Sequence, residues 1–269
     1  FHKIPKNLTQ IAFGIGDIDS NPDLFKIFNY CRNNDYNKVV PNVTVNGWNI
    51  TEEHADNLAS VCGAVAVSNY DKDICYDAVQ KLTEQIGIKN NPLKQVNIHQ
   101  LTALETFPTC KQVLRDVKRD PRLNKLNAII FLAFKSKGRG VNFHGLPEEK
   151  FKELVDYGLK HKIPVGMDSC SAFKFLKSVK GHDHYKRLET LVEPCESGLF
   201  SFYINVKGTS YFCSFLEEEP DMPDFNVLKC QDFMKDIWFH PRMVEWRQKL
   251  LATAQDNDLN CRHCPHFDV

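Results

Sequence analysis

The chain has 269 residues, 42% of them hydrophobic, and its 34 Lys+Arg balance 34 Asp+Glu, so the formal net charge is zero. At about 150 residues per domain that is one large domain, or one with a small companion, long enough to bury its core without disulfides. The composition excludes disorder, the balanced charge argues against a nucleic-acid partner, and no apolar run reaches the roughly 18 residues that would span a membrane. The start, Phe1-His2-Lys3-Ile4-Pro5, has neither a Met nor the apolar region of a signal peptide. A cytoplasmic chain that begins partway through a longer protein is the expectation.

Short apolar runs alternate with amphipathic stretches over the first two thirds of the chain. Strands are expected at Gln10–Ile15, Asn42–Val45, Ala64–Val67, Gln95–His99, Asn127–Phe134 and Pro164–Met167. Helices are expected between them at Pro22–Asn33, from Thr51 to Cys62, and over Asp73–Gln85 and Pro108–Lys118. A further helix should open with Pro147 at its first position and Glu148 and Glu149 after it. Thr51 should cap the second helix, Glu52 and Glu53 favour its N-terminus, and Gly63 should stop it. Such β-then-α repetition predicts a parallel sheet with helices outside. The order alone leaves an open sheet and a barrel as alternatives. In both, ligands sit at the C-terminal ends of the strands. Those ends carry Gly14-Ile15-Gly16-Asp17, Asn46-Gly47, Ser68-Asn69, His99-Gln100, Lys135 to Arg139, and Asp168.

The pattern changes after about residue 190. Leu199–Val206 and Tyr211–Phe215 flank Lys207-Gly208-Thr209-Ser210, a plausible hairpin. An acidic turn, Glu217 to Asp221, and helices over Cys230–Trp238 and Pro241–Ala254 should follow.

The cysteines number ten. In an exported protein an even count reads as a disulfide framework. The sequons Asn7-Leu8-Thr9, Asn42-Val43-Thr44 and Asn49-Ile50-Thr51 would fit export. No export signal accompanies them, so the sequons are expected unmodified and the thiols reduced, buried or metal-bound. Cys31, Cys62, Cys75 and Cys110 fall in helical stretches and read as core or surface thiols. Cys230 reads as a bystander, and Cys170, at the end of a strand, either faces the active site or replaces a ligand. Cys195 and Cys213 lie at the outer ends of the hairpin, which antiparallel pairing brings together. If the loop Cys261-Arg262-His263-Cys264 folds back, four thiolates converge, a set suited to zinc or an iron–sulfur cluster. A redox dithiol or ordinary buried thiols are the alternatives, and the residues do not choose iron over zinc.

With these residues in place, the chain resembles radical SAM enzymes that carry a C-terminal auxiliary cluster domain of the SPASM or twitch type. Cys195, Gly208-x4-Cys213 and Cys261-x2-Cys264 are similar to the twitch pattern, which implies that Cys195, Cys213, Cys261 and Cys264 hold an auxiliary [4Fe-4S] cluster. Gly14, Gly16 and Asp17 sit where the family has its GGEP motif, which holds the methionine amino group of S-adenosylmethionine. Thr44-Val45-Asn46-Gly47 looks like the next strand end, Ser68 and Asn69 lie where family members contact the ribose, and Lys135 to Gly140 looks like the KGR segment. The resemblance implies that Gly14, Gly16, Asp17, Asn46, Ser68, Asn69, His99 and Arg139 bind the cofactor. It implies a partial (β/α)6 TIM-like barrel over residues 1–190 and a small cysteine-rich hairpin-plus-helix domain over 191–269.

The implied activity is that of a radical SAM oxidoreductase or maturase. A 5′-deoxyadenosyl radical takes hydrogen from a peptide or small molecule, the auxiliary cluster assists electron transfer, and a flavodoxin or ferredoxin supplies electrons. The family's CxxxCxxC motif, which binds the cluster that cleaves S-adenosylmethionine, is absent. It normally lies just before the GGEP strand. Either the chain lacks that segment, in which case a second [4Fe-4S] cluster belongs to the whole protein, or the barrel is inactive. An inactive barrel carrying a structural zinc or iron–sulfur site would be a binding protein. Asp17 in place of Glu shortens the reach of the carboxylate toward an amino group.

Overall fold

A computed structural model describes residues 1–193, 195–217, 219, 222–223 and 225–255, without the side chains of 139 and 253–255. Six parallel strands form one sheet in sequence order: β1 (Ile11–Gly16), β2 (Pro41–Val45), β3 (Ala64–Ser68), β4 (Gln95–Thr102), β5 (Ala128–Ala133) and β6 (Val165–Met167). The helices α1 (Leu24–Asn33), α2 (Glu52–Val61), α3 (Lys72–Glu84), α4 (Phe107–Asp116) and α5 (Glu148–Lys160) make the crossovers. This sequential parallel order is that of the partial barrel which the resemblance implies.

Local chemistry fixes the boundaries. Thr51 caps α2, its side chain accepting from His54 N at 3.1 Å. Asp71 caps α3 by accepting from the backbone of Asp73 and Ile74. Pro147 stands one place earlier than expected: its extended ψ of 147° makes it the cap, and α5 begins at Glu148. Ala55, Leu58 and Ala59 of α2 and Val65 and Val67 of β3 are fully buried, so the helix faces lie on the sheet in one large core. Cys31, Cys75 and Cys110 lie in helices of that core, and Cys62 caps the end of α2. Burial pushes the thiol of Cys31 up to about 11 and those of Cys62, Cys75 and Cys110 up to about 12, which keeps them protonated and unreactive.

After β6, two helices that the sequence reading did not anticipate, α6 (Ala172–Val179) and α7 (Tyr185–Glu189), finish this part. A small antiparallel sheet follows, in the order β7 (Tyr203–Ile204), β8 (Thr209–Tyr211) and β9 (Phe225–Asn226). The expected hairpin is present, with much shorter strands and a third strand beside it. The expected helix over Cys230–Trp238 reduces to a π-helical turn, Met234–Trp238. Asp236 accepts from the backbone of Gln231 and Asp232 at 2.9 Å, which holds residues 230–233 in a turn. The last helix, α8, runs Pro241–Gln255. Phe212, Leu216, Phe225, Phe233, Ile237 and Met243 form a second, separate core. Among the described residues no helix is long and apolar enough to cross a membrane.

Candidate cofactor cavity and thiol cluster

The ends of β1, β2 and β3 surround a cavity of about 460 Å3 lined by Gly14, Ile15, Gly16, Thr44, Val45, Asn46, Trp48, Ser68 and Tyr70. Its size lies in the range of small-molecule sites. The β1–β2 register shifts between Gly14 and Gly16, and Gly16 takes a left-handed φ of +68° that turns the chain out of the strand. A Cβ at Gly14 or Gly16 would meet nothing within 4 Å, so both glycines open the backbone toward free space. Asn46 N donates to Gly16 O at 2.8 Å and ties the two strand ends together. Its side-chain oxygen accepts from Trp48 N at 2.9 Å and sets the Trp48 ring on the rim.

Four of the eight expected cofactor residues line this cavity: Gly14, Gly16, Asn46 and Ser68. Asn69 follows Ser68, and its Nδ2 donates to Gln100 Oε1 at 2.8 Å. Its Oδ1 is buried with no hydrogen-bond partner among the described residues. A buried acceptor in that condition costs about 1–3 kcal/mol unless a ligand or water satisfies it. Asp17 is next to the cavity, but its carboxylate caps its own turn, accepting from Asp19 N at 2.9 Å. The side chain of Arg139 lies outside the described part. Trp48 and Tyr70, 47% and 64% exposed, are rim residues that the sequence reading missed. The signal was available, since an aromatic stands within three residues of each of two strand ends.

His99 pairs in register with Ser68, one strand further along. Burial lowers its pKa below the ordinary 6.5, so the imidazole is neutral at pH 7. The folded chain therefore binds fewer protons here than the unfolded one. Stability should fall as pH drops from the ordinary imidazole value toward the lowered one, and His99→Gln should flatten that part of the curve. Urea midpoints between about pH 5 and pH 8 check this.

The second constellation is built of sulfur. The β7–β8 register pairs Tyr203 with Tyr211 and Ile204 with Ser210, and Cys213 follows two residues after the end of β8. Cys195 reaches the same end of the sheet through a turn in which Gly198 N donates to Ser201 O at 2.9 Å. Trp246 of α8 clamps the two segments. Its Nε1 donates to Ser197 O at 2.9 Å, and its ring stacks on Phe212 with centroids 4.6 Å apart. Gly198 has φ +68°, and a Cβ there would stand 3.0 Å from Trp246 Cδ1. Gly198→Ala should therefore destabilise the C-terminal unit by about 1–3 kcal/mol, visible as a lowered thermal midpoint of that unit. The sulfur of Cys213 accepts from Phe215 N at 3.3 Å.

Cys170 stands on a 3-10 turn at the end of β6. Burial raises its thiol to about 12; the Lys135 ammonium lowers it, and Asp168, Cys195 and Cys213 raise it. Lys135, only 9% exposed, and Cys170 line one narrow crevice. The crevice holds about 20 Å3 of free space, room for little more than one water, so it admits no substrate. Among the described residues no three His, Cys, Asp or Glu side chains stand close enough to hold a single metal ion. Cys261 and Cys264 lie outside the described residues.

Comparisons with known proteins match both parts, the C-terminal unit by its sequence and the whole by its fold. Residues 195–265 match the SPASM iron–sulfur cluster-binding domain, a stretch that starts at Cys195 and ends just past Cys264. No curated protein matches the chain. Solved structures of anSMEcpe share the fold. Histidine-tagged anSMEcpe with bound AdoMet is 16% identical at a TM-score of 0.56, the match covering 88% of this chain and 65% of that one. Native anSMEcpe with AdoMet and the Cp18Cys peptide is 15% identical at a TM-score of 0.53, covering 88% and 69%. The form with the Kp18Cys peptide is 16% identical at 0.53, with the same coverage. At these identities the likeness establishes the fold, and the chain spans 65% of the first of these structures.

Proposed function

We propose that the protein is a radical S-adenosylmethionine enzyme acting on a peptide, with an auxiliary [4Fe-4S] cluster in its C-terminal unit and a domain boundary near residue 190. The observation that carries the reading is the joint occurrence of the strand-end cavity and an iron–sulfur domain match beginning at Cys195. S-adenosylmethionine together with a reduced iron–sulfur cluster supplies hydrogen-atom abstraction when both are bound.

The chain's own residues bind and orient. Gly14 and Gly16 let the backbone approach the amino-acid end of the cofactor, with Asp17 beside them. Asn46 fixes the turn between β2 and α2. Ser68 and the unsatisfied Asn69 Oδ1 offer hydrogen bonds to a ribose, and Trp48 and Tyr70 offer ring faces at the rim. Neutral His99 adds no charge to the site, and Arg139 offers a cation for an anionic group of substrate or cofactor. Cys195 and Cys213, with Cys261 and Cys264, are the proposed thiolates of the auxiliary cluster. Soft thiolate donors suit iron–sulfur chemistry. A centre held fully by protein thiolates has no open position, so its role is electron transfer, with a flavodoxin or ferredoxin as the low-potential donor. The peptide substrate is supported by the peptides bound in the anSMEcpe structures.

Calorimetric titration with S-adenosylmethionine tests the cavity. Saturable binding that Trp48→Ala weakens by about tenfold, or about 1.4 kcal/mol, is the expected result. Absence of binding by a chain that carries its iron would overturn the cofactor assignment.

A further inference from the structure

Cys170 belongs to the barrel by sequence but to the sulfur cluster by position. The turn that carries it is held on both sides. Asp168 Oδ1 accepts from Ser171 N at 2.9 Å and from Ser171 Oγ at 2.6 Å, while Oδ2 accepts from Ala133 N on the neighbouring strand at 3.0 Å. Such a doubly anchored cap fixes the direction of the residue inside it.

The turn that carries Cys213 is docked onto this same corner of the barrel. Lys135, which lines the crevice with Cys170, sets its ammonium 5.8 Å from the centroid of the Phe215 ring. Phe215 is the residue whose N–H donates to the Cys213 sulfur. From the same loop Lys137 Nζ donates to Phe215 O at 2.8 Å, to the Glu217 carbonyl, and to Glu219 Oε1 at 3.1 Å. Cys195 is brought alongside by the Trp246 clamp between Ser197 and Phe212. Both Cys195 and Cys213 bear electrostatically on Cys170. The three thiols thus belong to one corner, where the turn of Cys213 docks on the barrel beside the Cys170 crevice. The buried Lys135 ammonium supplies positive charge beside an anionic centre, offsetting part of the cost of burying that charge.

We propose that Cys170 is a ligand of the same iron–sulfur centre as Cys195 and Cys213. Barrel and C-terminal unit then hold the centre jointly. This rests on the iron–sulfur reading above and departs from it in taking one ligand from β6.

The test is anaerobic reconstitution of the full chain as wild type, C170A, C170S, C213A and C230A. Iron and sulfide are assayed, and electron paramagnetic resonance spectra are taken after dithionite reduction. Expected are a several-fold loss of iron and sulfide in both C170A and C213A, and wild-type content in C230A. C170S should keep a cluster with a shifted resonance spectrum, because an alkoxide replaces a thiolate. Iodoacetamide with peptide mass mapping should leave Cys170 unmodified in the iron-loaded wild type and label it once chelation and urea have exposed the buried thiol. If circular dichroism shows C170A unfolded, the C170S spectrum and the alkylation map decide. Wild-type iron, an unchanged spectrum and a labelled Cys170, beside a depleted C213A, would overturn the ligand role and leave the iron–sulfur reading standing. A wild type that takes up no sulfide would overturn both.

Discussion

Gly16→Val should abolish measurable S-adenosylmethionine binding while the barrel stays folded. Gly16 sits in the bulge where the β1–β2 register shifts, with φ at +68°. A β-branched residue in that conformation costs roughly 1–2 kcal/mol, and relief of the strain would move the strand end. The new side chain would also occupy cavity space that is open beside Gly16, since nothing lies within 4 Å of a Cβ there. Misplacement and occlusion act in the same direction, so the expected loss of affinity exceeds tenfold, about 1.4 kcal/mol. Titration calorimetry measures the affinity, and far-ultraviolet circular dichroism confirms the fold. Undiminished affinity in a folded variant would remove the cavity from the mechanism.

Cys213→Ala should separate two quantities that are joined in the wild type. In the metal-free chain the Cys213 sulfur accepts a hydrogen bond from Phe215 N. Its loss should cost about 1 kcal/mol or less. In the iron-loaded chain the same sulfur is a proposed ligand, and binding that favours the folded state stabilises it by mass action. The rise in thermal midpoint on reconstitution should therefore vanish in Cys213→Ala, while the midpoint of the metal-free protein stays close to wild type. An unchanged rise would place the iron elsewhere.

The barrel was legible because its signals are local. Val43, Val45, Val65, Val67, Ile129 and Phe131 are buried strand residues, and their β-branched or aromatic runs recur at the spacing of β-then-α units. Thr51 marks the start of α2 through a cap that acts within one turn, whereas the helix ends where Cys62 turns extended, with no left-handed glycine at Gly63. The strand-end residues Gly14, Gly16, Asn46 and Ser68 were legible for the same reason, since a parallel sheet puts successive strand ends at one rim.

The C-terminal unit was much less so. Strands of two or three residues, such as Tyr203–Ile204 and Thr209–Tyr211, are too short to display an alternation. Its order comes from contacts distant in sequence: Trp246 on Phe212 and Ser197, and Lys137 on the carbonyls of Phe215 and Glu217. No window along the chain contains both partners of those contacts. The helix expected from Cys230 failed because Asp236 accepts from Gln231 and Asp232 and holds their backbone in a turn. Cys170 remained ambiguous in the sequence because its neighbours, Lys135, Cys195 and Cys213, come from other segments.

Elemental and sulfide analysis of the anaerobically reconstituted chain, read beside its visible spectrum, tests the central claim most directly. About four irons and four sulfides per chain, with broad absorbance in the violet that bleaches on reduction, is the expected result. A colourless chain holding one zinc and no sulfide would contradict it.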